Sequence, residues 1–480
     1  MSNGNSGGGS IMIQRIAYAC GTFGHDIFYM MLGSYFMIFV TSNLFNSPDV
    51  EGKANDAYMI GIVTTIILVL RVGELLIDPF IGNTIDKTKT RWGKFKPWVL
   101  VGGVVGAVCL ALLFTDFGGM AASNPTGYLI AFAVVYLIMD VFYSAKDVAI
   151  WSMIPALSFD SREREITATY ARIGSVFGAQ LVTVMVMPIV LHFSNNENGG
   201  AGDPTGWLAF ACIGGALSVL GAVILGIGTK EQESELRENK EETKFSDVFK
   251  ILAQNDQLLW VAFMYLIYGL GINTINNLNL HYFIYVLGDS TQFSFLGIIN
   301  VIIGLLAVAL FPVLTKQFSR RKLFFASIAI MLVGIGIYSV AGKSVSMTLL
   351  GAGLFALPQP LVFLCVLLTI TDCVEYGQLK MGHRDEALVL CVRPLIDKLS
   401  GALTSAVVGF TAVWVGMVSG ATADTITPEN LTHFKMIMFG APVVFLIVAT
   451  FLYRAKVTLT EEEHARIVKE LEEKWADMNK

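Results

Sequence analysis

The sequence predicts an all-α polytopic membrane protein whose twelve transmembrane helices form two pseudo-symmetric six-helix bundles. Three observations carry that expectation. Hydrophobic residues make up 54% of the 480-residue chain and charged residues only 15%, against about 25% charged in soluble domains, and the mean hydropathy is +0.62. Apolar runs long enough to cross a bilayer recur from end to end. One densely charged stretch divides them into two sets of six.

Residues 1–13 open on the Gly/Ser-rich MSNGNSGGGS, a flexible tail. The tail lacks the basic region, short apolar core and cleavage site of a secretory leader, so the first span stays uncleaved. A spanning helix needs about 20 apolar residues. Windows of that kind fall at 14–41, 57–82, 97–115, 127–157, 165–193 and 205–228, giving an N-terminal bundle over 14–229. Residues 230–250 then hold five Lys/Arg and seven Asp/Glu, a solvated connector that no bilayer accepts. The second set falls at 257–287, 292–315, 323–341, 346–372, 387–419 and 430–453, a C-terminal bundle over 251–455. Gly351, Gly353, Pro358 and Pro360 are its candidate bends. The tail 456–480 opens with a capping box from Thr460 to Glu463 and places Ile467, Leu471 and Trp475 at i, i+4 and i+8. That spacing predicts a cytoplasmic amphipathic helix packed beneath the bundles. Two similar sets of six helices are the pattern of a two-bundle transporter.

Sorting the 33 basic residues by loop puts 25 on the side of both termini and three, Lys53, Lys343 and Lys435, on the other. The positive-inside rule therefore makes both termini cytoplasmic. A net charge of −5 and a pI near 5.8 leave no basic footprint for nucleic acid. The six cysteines lack CxxC spacing and read as small buried hydrophobes. Neither HExxH nor GxSxG is present, and no cofactor is called for.

Five cations, Arg71, Lys146, Arg172, Arg393 and Lys398, fall inside spans, and the six clearest anions there are Asp26, Glu74, Asp78, Asp140, Asp147 and Asp397. Each would cost about 2.5 to 3.5 kcal/mol facing lipid at mid-bilayer. They must face one another or water, so a polar pathway runs through the apolar bundle. Arg71, Glu74 and Asp78 share one helical face at i, i+3 and i+7. Two carboxylates one turn apart supply oxygen ligands for a small cation or a site that holds a proton; the alternative is that Arg71 simply pairs with Glu74. Asp140, Tyr143, Ser144, Asp147 and Trp151 form a second stripe. A pyranose needs that mixture, because an indole stacks on its apolar face and carboxylates accept from its hydroxyls; the alternative is a packing stripe with Trp151 near an interface belt. His25 and Asp26 point about 100° apart, which leaves Asp26 with the better claim on a ligand and His25 as a hydrogen-bonded packing residue rather than a proton carrier. Arg393 and Asp397, at i and i+4, read as a local ion pair.

Three segments, DPFIGNTIDKTKTRWGKFKPW at 78–98, IWSMIPALSFDSRERE at 150–165 and DCVEYGQLKMGHRDEALVL at 372–390, closely resemble the glycoside–pentoside–hexuronide:cation symporters of the major facilitator superfamily, which include the melibiose permeases. The resemblance covers nearly the whole chain. It implies the major facilitator fold, a sugar-contact set of Asp26, Tyr143, Asp147, Trp151, Arg172 and Lys398, and a cation set of Glu74, Asp78 and Ser144. Phe363 falls where melibiose permeases have Trp. Glu74 replaces their Asp, and Ile77 replaces an Asn associated there with sodium coordination, so a proton is favoured over a sodium ion at Glu74 and Asp78. His25 replaces a Lys, and Lys146 adds a cation beside Asp147. Some relatives carry a C-terminal phosphotransferase-like domain, for which this tail is too short.

The resemblance thus implies a multi-pass protein of a bacterial plasma membrane whose partners are a sugar, a coupling cation and membrane lipid. It would take up a glycoside or small oligosaccharide by cation-coupled symport through alternating access. Asp86, Arg91 and Arg164 would form charge pairs that close a cytoplasmic gate; the alternative is that the loop cations Lys87, Lys89, Arg91, Lys94, Lys96, Arg162 and Arg164 serve only as positive-inside determinants. A passive sugar facilitator and a lysolipid-type carrier on the same fold are the alternatives.

Overall fold

The computed structural model describes residues 7–45, 50–158, 161–196, 198–231, 253–382 and 386–478. Among the described residues, twelve helices are long and apolar enough to cross a membrane: α1 (Ile11–Leu44), α2 (Gly52–Asp78), α3 (Lys96–Leu113), α4 (Pro125–Ile154), α5 (Ile166–Phe193), α6 (Pro204–Gly228), α7 (Asp256–Leu287), α8 (Ser290–Gln317), α9 (Arg320–Val340), α10 (Val345–Met381), α11 (Val392–Trp414) and α12 (Pro428–Lys456). A further helix, α13 (Glu461–Met478), follows. No strand occurs among the described residues. The helix containing α1 begins at Gly7, inside the segment expected to be a flexible tail, because propagation from a formed apolar helix adds one hydrogen bond per residue and carries it into the glycines. Most of the charged connector, 232–252, lies outside the described residues.

Starts follow local chemistry. Asn124 accepts from Gly127 N at 3.0 Å ahead of Pro125, and Asp203 accepts from Gly206 N at 3.0 Å ahead of Pro204; both are N-caps with proline in the first turn. Asp203 also receives Asn195 N at 2.7 Å and Asn196 N at 3.3 Å. Burial works against its ionisation, but these backbone donors outweigh burial and hold the carboxyl below its usual range. α10 breaks at Leu357 and Pro358, between helical stretches Val345–Ala356 and Gln359–Met381, where bends were expected. π-helical turns at Met31–Tyr35, Val40–Leu44, Phe283–Leu287 and Met436–Gly440 interrupt α1, α7 and α12.

The chain falls into two compact units. Unit 1 comprises Met1–Glu242, Leu280–Gly297 and Ser405–Thr427. Within it, Gly174 and Gly178 of α5 lie against the α1 backbone so closely that a Cβ would stand 2.1 Å from Ala19 O and 2.2 Å from Phe23 O. Only glycine permits that approach, and it seats α1 firmly beside the charged face of α4. The added segments pack here too: Ser42 Oγ lies 2.7 Å from the Tyr285 hydroxyl, and Ser419 N donates to Thr41 O at 3.0 Å.

Unit 2 comprises Thr243–Asn279, Ile298–Thr404 and Pro428–Lys480. Its α13 is tied in by charge, since Arg320 of α9 pairs with Asp372 of α10 at 2.5 Å and with Glu461 at 3.3 Å. Thr460 Oγ1 accepts from Glu463 N at 3.3 Å and Ile467 is buried. The side chain of Trp475 lies outside the described residues.

Candidate functional site

In unit 1 the intramembrane charges meet between α1, α2 and α4. Glu74 is 7% exposed and accepts from the Ser144 hydroxyl, so α2 and α4 bring together two of the three expected cation residues. Asp78 lies one turn further along α2, half-buried. Arg71 is not simply the partner of Glu74. Its Nε donates to the Tyr136 hydroxyl at 2.9 Å, while its charge acts on Glu74 through space. Ile77 packs against the apolar cluster built on Ile81, Ile85, Val99 and Met153 and brings no oxygen to this face.

One turn along α4 stands the second group. His25 of α1 is 2% exposed, and its Nε2 lies 3.0 Å from Asp147 Oδ1. Its ring stacks on Tyr143 with centroids 5.3 Å apart and planes 4° apart, and the Tyr143 hydroxyl is 3.5 Å from the same nitrogen. Asp26, the next residue, has a buried Oδ2 with no hydrogen-bond partner. Lys146, 1% exposed, donates to Ser218 Oγ of α6 at 2.7 Å and acts electrostatically on both Asp26 and Asp147. The buried ammonium therefore has counter-charges on two helices, which satisfies the requirement that buried charge be compensated.

Of the other expected residues, two lie on α4 and α5 of unit 1. Trp151 leans half-buried against the apolar cluster that holds Ile77, and Arg172 of α5 is exposed. Lys398 belongs to unit 2, half-buried on α11. There the expected local pair forms, with Arg393 Nη1 2.5 Å from Asp397 Oδ2, and the guanidinium lies 5.0 Å over the Phe363 ring. Of the expected gate, Arg91 is exposed, and the side chains of Asp86 and Arg164 lie outside the described residues.

Sequence reasoning read His25 as packing and left Lys146 without a role. The structure gives that packing residue its hydrogen-bond partner, the acid expected to meet a ligand, which the sequence left unnamed. The signal for Tyr136 was present: it extends the stripe of Asp140, Tyr143 and Asp147 by one turn.

A family model described as MFS/sugar transport protein matches residues 17–459. The lactose permease of Lactobacillus delbrueckii subsp. bulgaricus is 53% identical over 461 residues, covering 96% of this chain and 72% of that protein. The raffinose carrier protein of Pediococcus pentosaceus is 51% identical over 462 residues, with the same coverage of each. The isoprimeverose transporter of Lactiplantibacillus pentosus is 27% identical, covering 97% of this chain and 92% of that one. Among solved structures, a D-xylose–proton symporter aligns with a TM-score of 0.60 at 13% identity over 93% of this chain and 98% of its own. The nucleoside transporter NupG aligns with a TM-score of 0.61 at 13% identity over 94% and 99%. At that identity the two structures establish the fold alone.

Proposed function

This chain belongs to the MFS/sugar transport protein family, the melibiose-permease-like glycoside–pentoside–hexuronide:cation symporters, which are transporters and not enzymes, and we propose that it imports a small oligosaccharide of the lactose or raffinose kind together with a proton. The observation that carries the reading is the adjacency on α4 of two polar groups with different chemistry. Ser144 faces the buried Glu74, and Tyr143 and Asp147 face the His25 and Asp26 side of α1.

In this scheme Glu74 receives the proton, with Asp78 beside it. A proton needs only one suitable carboxylate, whereas sodium needs several oxygens, and the apolar seat of Ile77 favours the former. Neutralising Glu74 removes repulsion on Asp26 and Asp147 and prepares the sugar contacts, for which Tyr143, Trp151, Arg172 and Lys398 are the further candidates. By linkage, sugar tightens proton binding by the same factor, typically about 5 to 150-fold. Alternating exposure of the site follows from rocking of the two bundles, with Asp86, Arg91 and Arg164 as the inner gate and both termini in the cytoplasm of a bacterial cell.

The test is uptake of lactose, raffinose and isoprimeverose into proteoliposomes under an imposed proton or sodium gradient. Accumulation above equilibrium under the proton gradient is the expected result. Equilibration without accumulation under either gradient would reduce the protein to a facilitator.

A further inference from the structure

We propose that His25 is a positioning residue, which turns and holds the Asp147 carboxylate for a sugar hydroxyl through a hydrogen bond donated by Nε2. The inference rests on the sugar-site reading of Asp147 and adds to it a residue that does not itself meet the substrate.

Three observations carry it. The His25 Nε2 to Asp147 Oδ1 distance is 3.0 Å, and the ring is almost fully buried. Its Nδ1 is buried with no hydrogen-bond partner. The ring is also clamped, parallel to Tyr143 at 5.3 Å, on a helix whose backbone is pinned by Gly174 and Gly178.

A neutral imidazole carries one N–H. With hydrogen on Nε2 it donates to the carboxylate and leaves Nδ1 as an unprotonated nitrogen that needs no acceptor. With hydrogen on Nδ1 it would set a lone pair against Asp147 and bury an unsatisfied N–H, which is unfavourable twice over. The surroundings therefore select the Nε2–H tautomer without requiring the ring to be charged. The groups that face it are Asp147 and Tyr143 of α4. Asp26 adjoins it on its own helix, and Lys146 is engaged with Ser218.

The consequence is orientational. A carboxylate that rotates freely meets a sugar hydroxyl in many geometries and must be ordered on binding; one held by His25 is ordered beforehand, and the saving appears as affinity. Tyr143 packs the ring, and the ring aims the acid.

Two substitutions separate donor from ring. His25→Phe keeps the stack on Tyr143 and removes the donor; His25→Gln keeps an N–H donor and removes the ring. In lactose uptake, His25→Phe is expected to raise KM by about tenfold or more with a smaller change in Vmax, the scale of one charge-assisted hydrogen bond, and His25→Gln to restore most of the affinity. Wild-type affinity in His25→Phe with loss in His25→Gln would overturn the proposal in favour of packing. A second readout needs no sugar: in ¹⁵N-histidine spectra of the purified protein, the His25 signal, identified by its loss in His25→Gln, should report the Nε2–H tautomer and shift in Asp147→Asn. An Nδ1–H tautomer, or a signal indifferent to Asp147, would overturn it as well. If lactose, raffinose and isoprimeverose all fail to bind wild type while the histidine signal still responds to Asp147→Asn, it is the sugar-site reading that has failed.

Discussion

Asp147 and Glu74 sit one α4 turn apart in their contacts and are assigned different work, so each should fail differently. Asp147→Asn keeps the shape but halves the acceptor strength and removes the charge; it is expected to reduce sugar binding at least a hundredfold while proton binding persists, as read by direct sugar binding alongside proton uptake by the detergent-solubilised protein. Unchanged lactose affinity would remove Asp147 from the sugar site. Glu74→Gln should abolish accumulation yet permit sugar exchange across the membrane, measured by counterflow. At this scale the acids were legible, because a carboxylate in an apolar run stands out. The pairing of His25 with Asp147 and of Lys146 with Ser218 was not, because it depends on how α1, α4 and α6 rotate against one another, and no spacing along one helix encodes that.

The elements hold this geometry through backbone contact. Gly178 admits α1 at a distance no Cβ allows, so Gly178→Val forces α1 and α5 apart. A loss of about 1 to 3 kcal/mol, the usual result of overpacking, should appear as a thermal unfolding midpoint lowered by several degrees in detergent, with sugar affinity falling too as His25 moves. Asp203 offers a pH-dependent counterpart. Its folded carboxyl titrates below the usual range, so its contribution is present above about pH 4, the unfolded value, and fades as pH falls through the folded one. Asp203→Asn keeps the cap but removes the charge. It is accordingly expected to lower the unfolding midpoint at neutral pH by the worth of an anion at a helix N-terminus, about 0.3 to 1 kcal/mol, and the gap to wild type should close in acid. A constant gap would assign the effect to packing instead. The helices, their prolines and the break in α10 could be read beforehand, since Pro and Gly act locally. The π-helical turns of α1, α7 and α12 could not, because nothing in their composition distinguishes MLGSY or FIYVL from ordinary helix.

For the molecule as a whole, twelve spans and the family were legible from hydropathy and three motifs, and the allotment of segments to compact units was not. Leu280–Gly297 and Ser405–Thr427 join unit 1 although they come from the last six spans. One of their contacts brings Gly409 of α11 so near α2 that a Cβ would lie 2.3 Å from Thr64 Oγ1. In the proposed cycle, rocking of the two six-helix halves parts this contact. A Thr64→Cys/Gly409→Cys pair should therefore cross-link on oxidation and stop uptake, with recovery on reduction; full uptake by the cross-linked protein would contradict the cycle. The most direct measurement of the central claim is the internal pH of proteoliposomes recorded while lactose is added outside with no gradient imposed. Sugar entry should acidify the lumen in step with flux, and Glu74→Gln should abolish the acidification while leaving exchange. Lactose entry without acidification would contradict proton-coupled symport through Glu74.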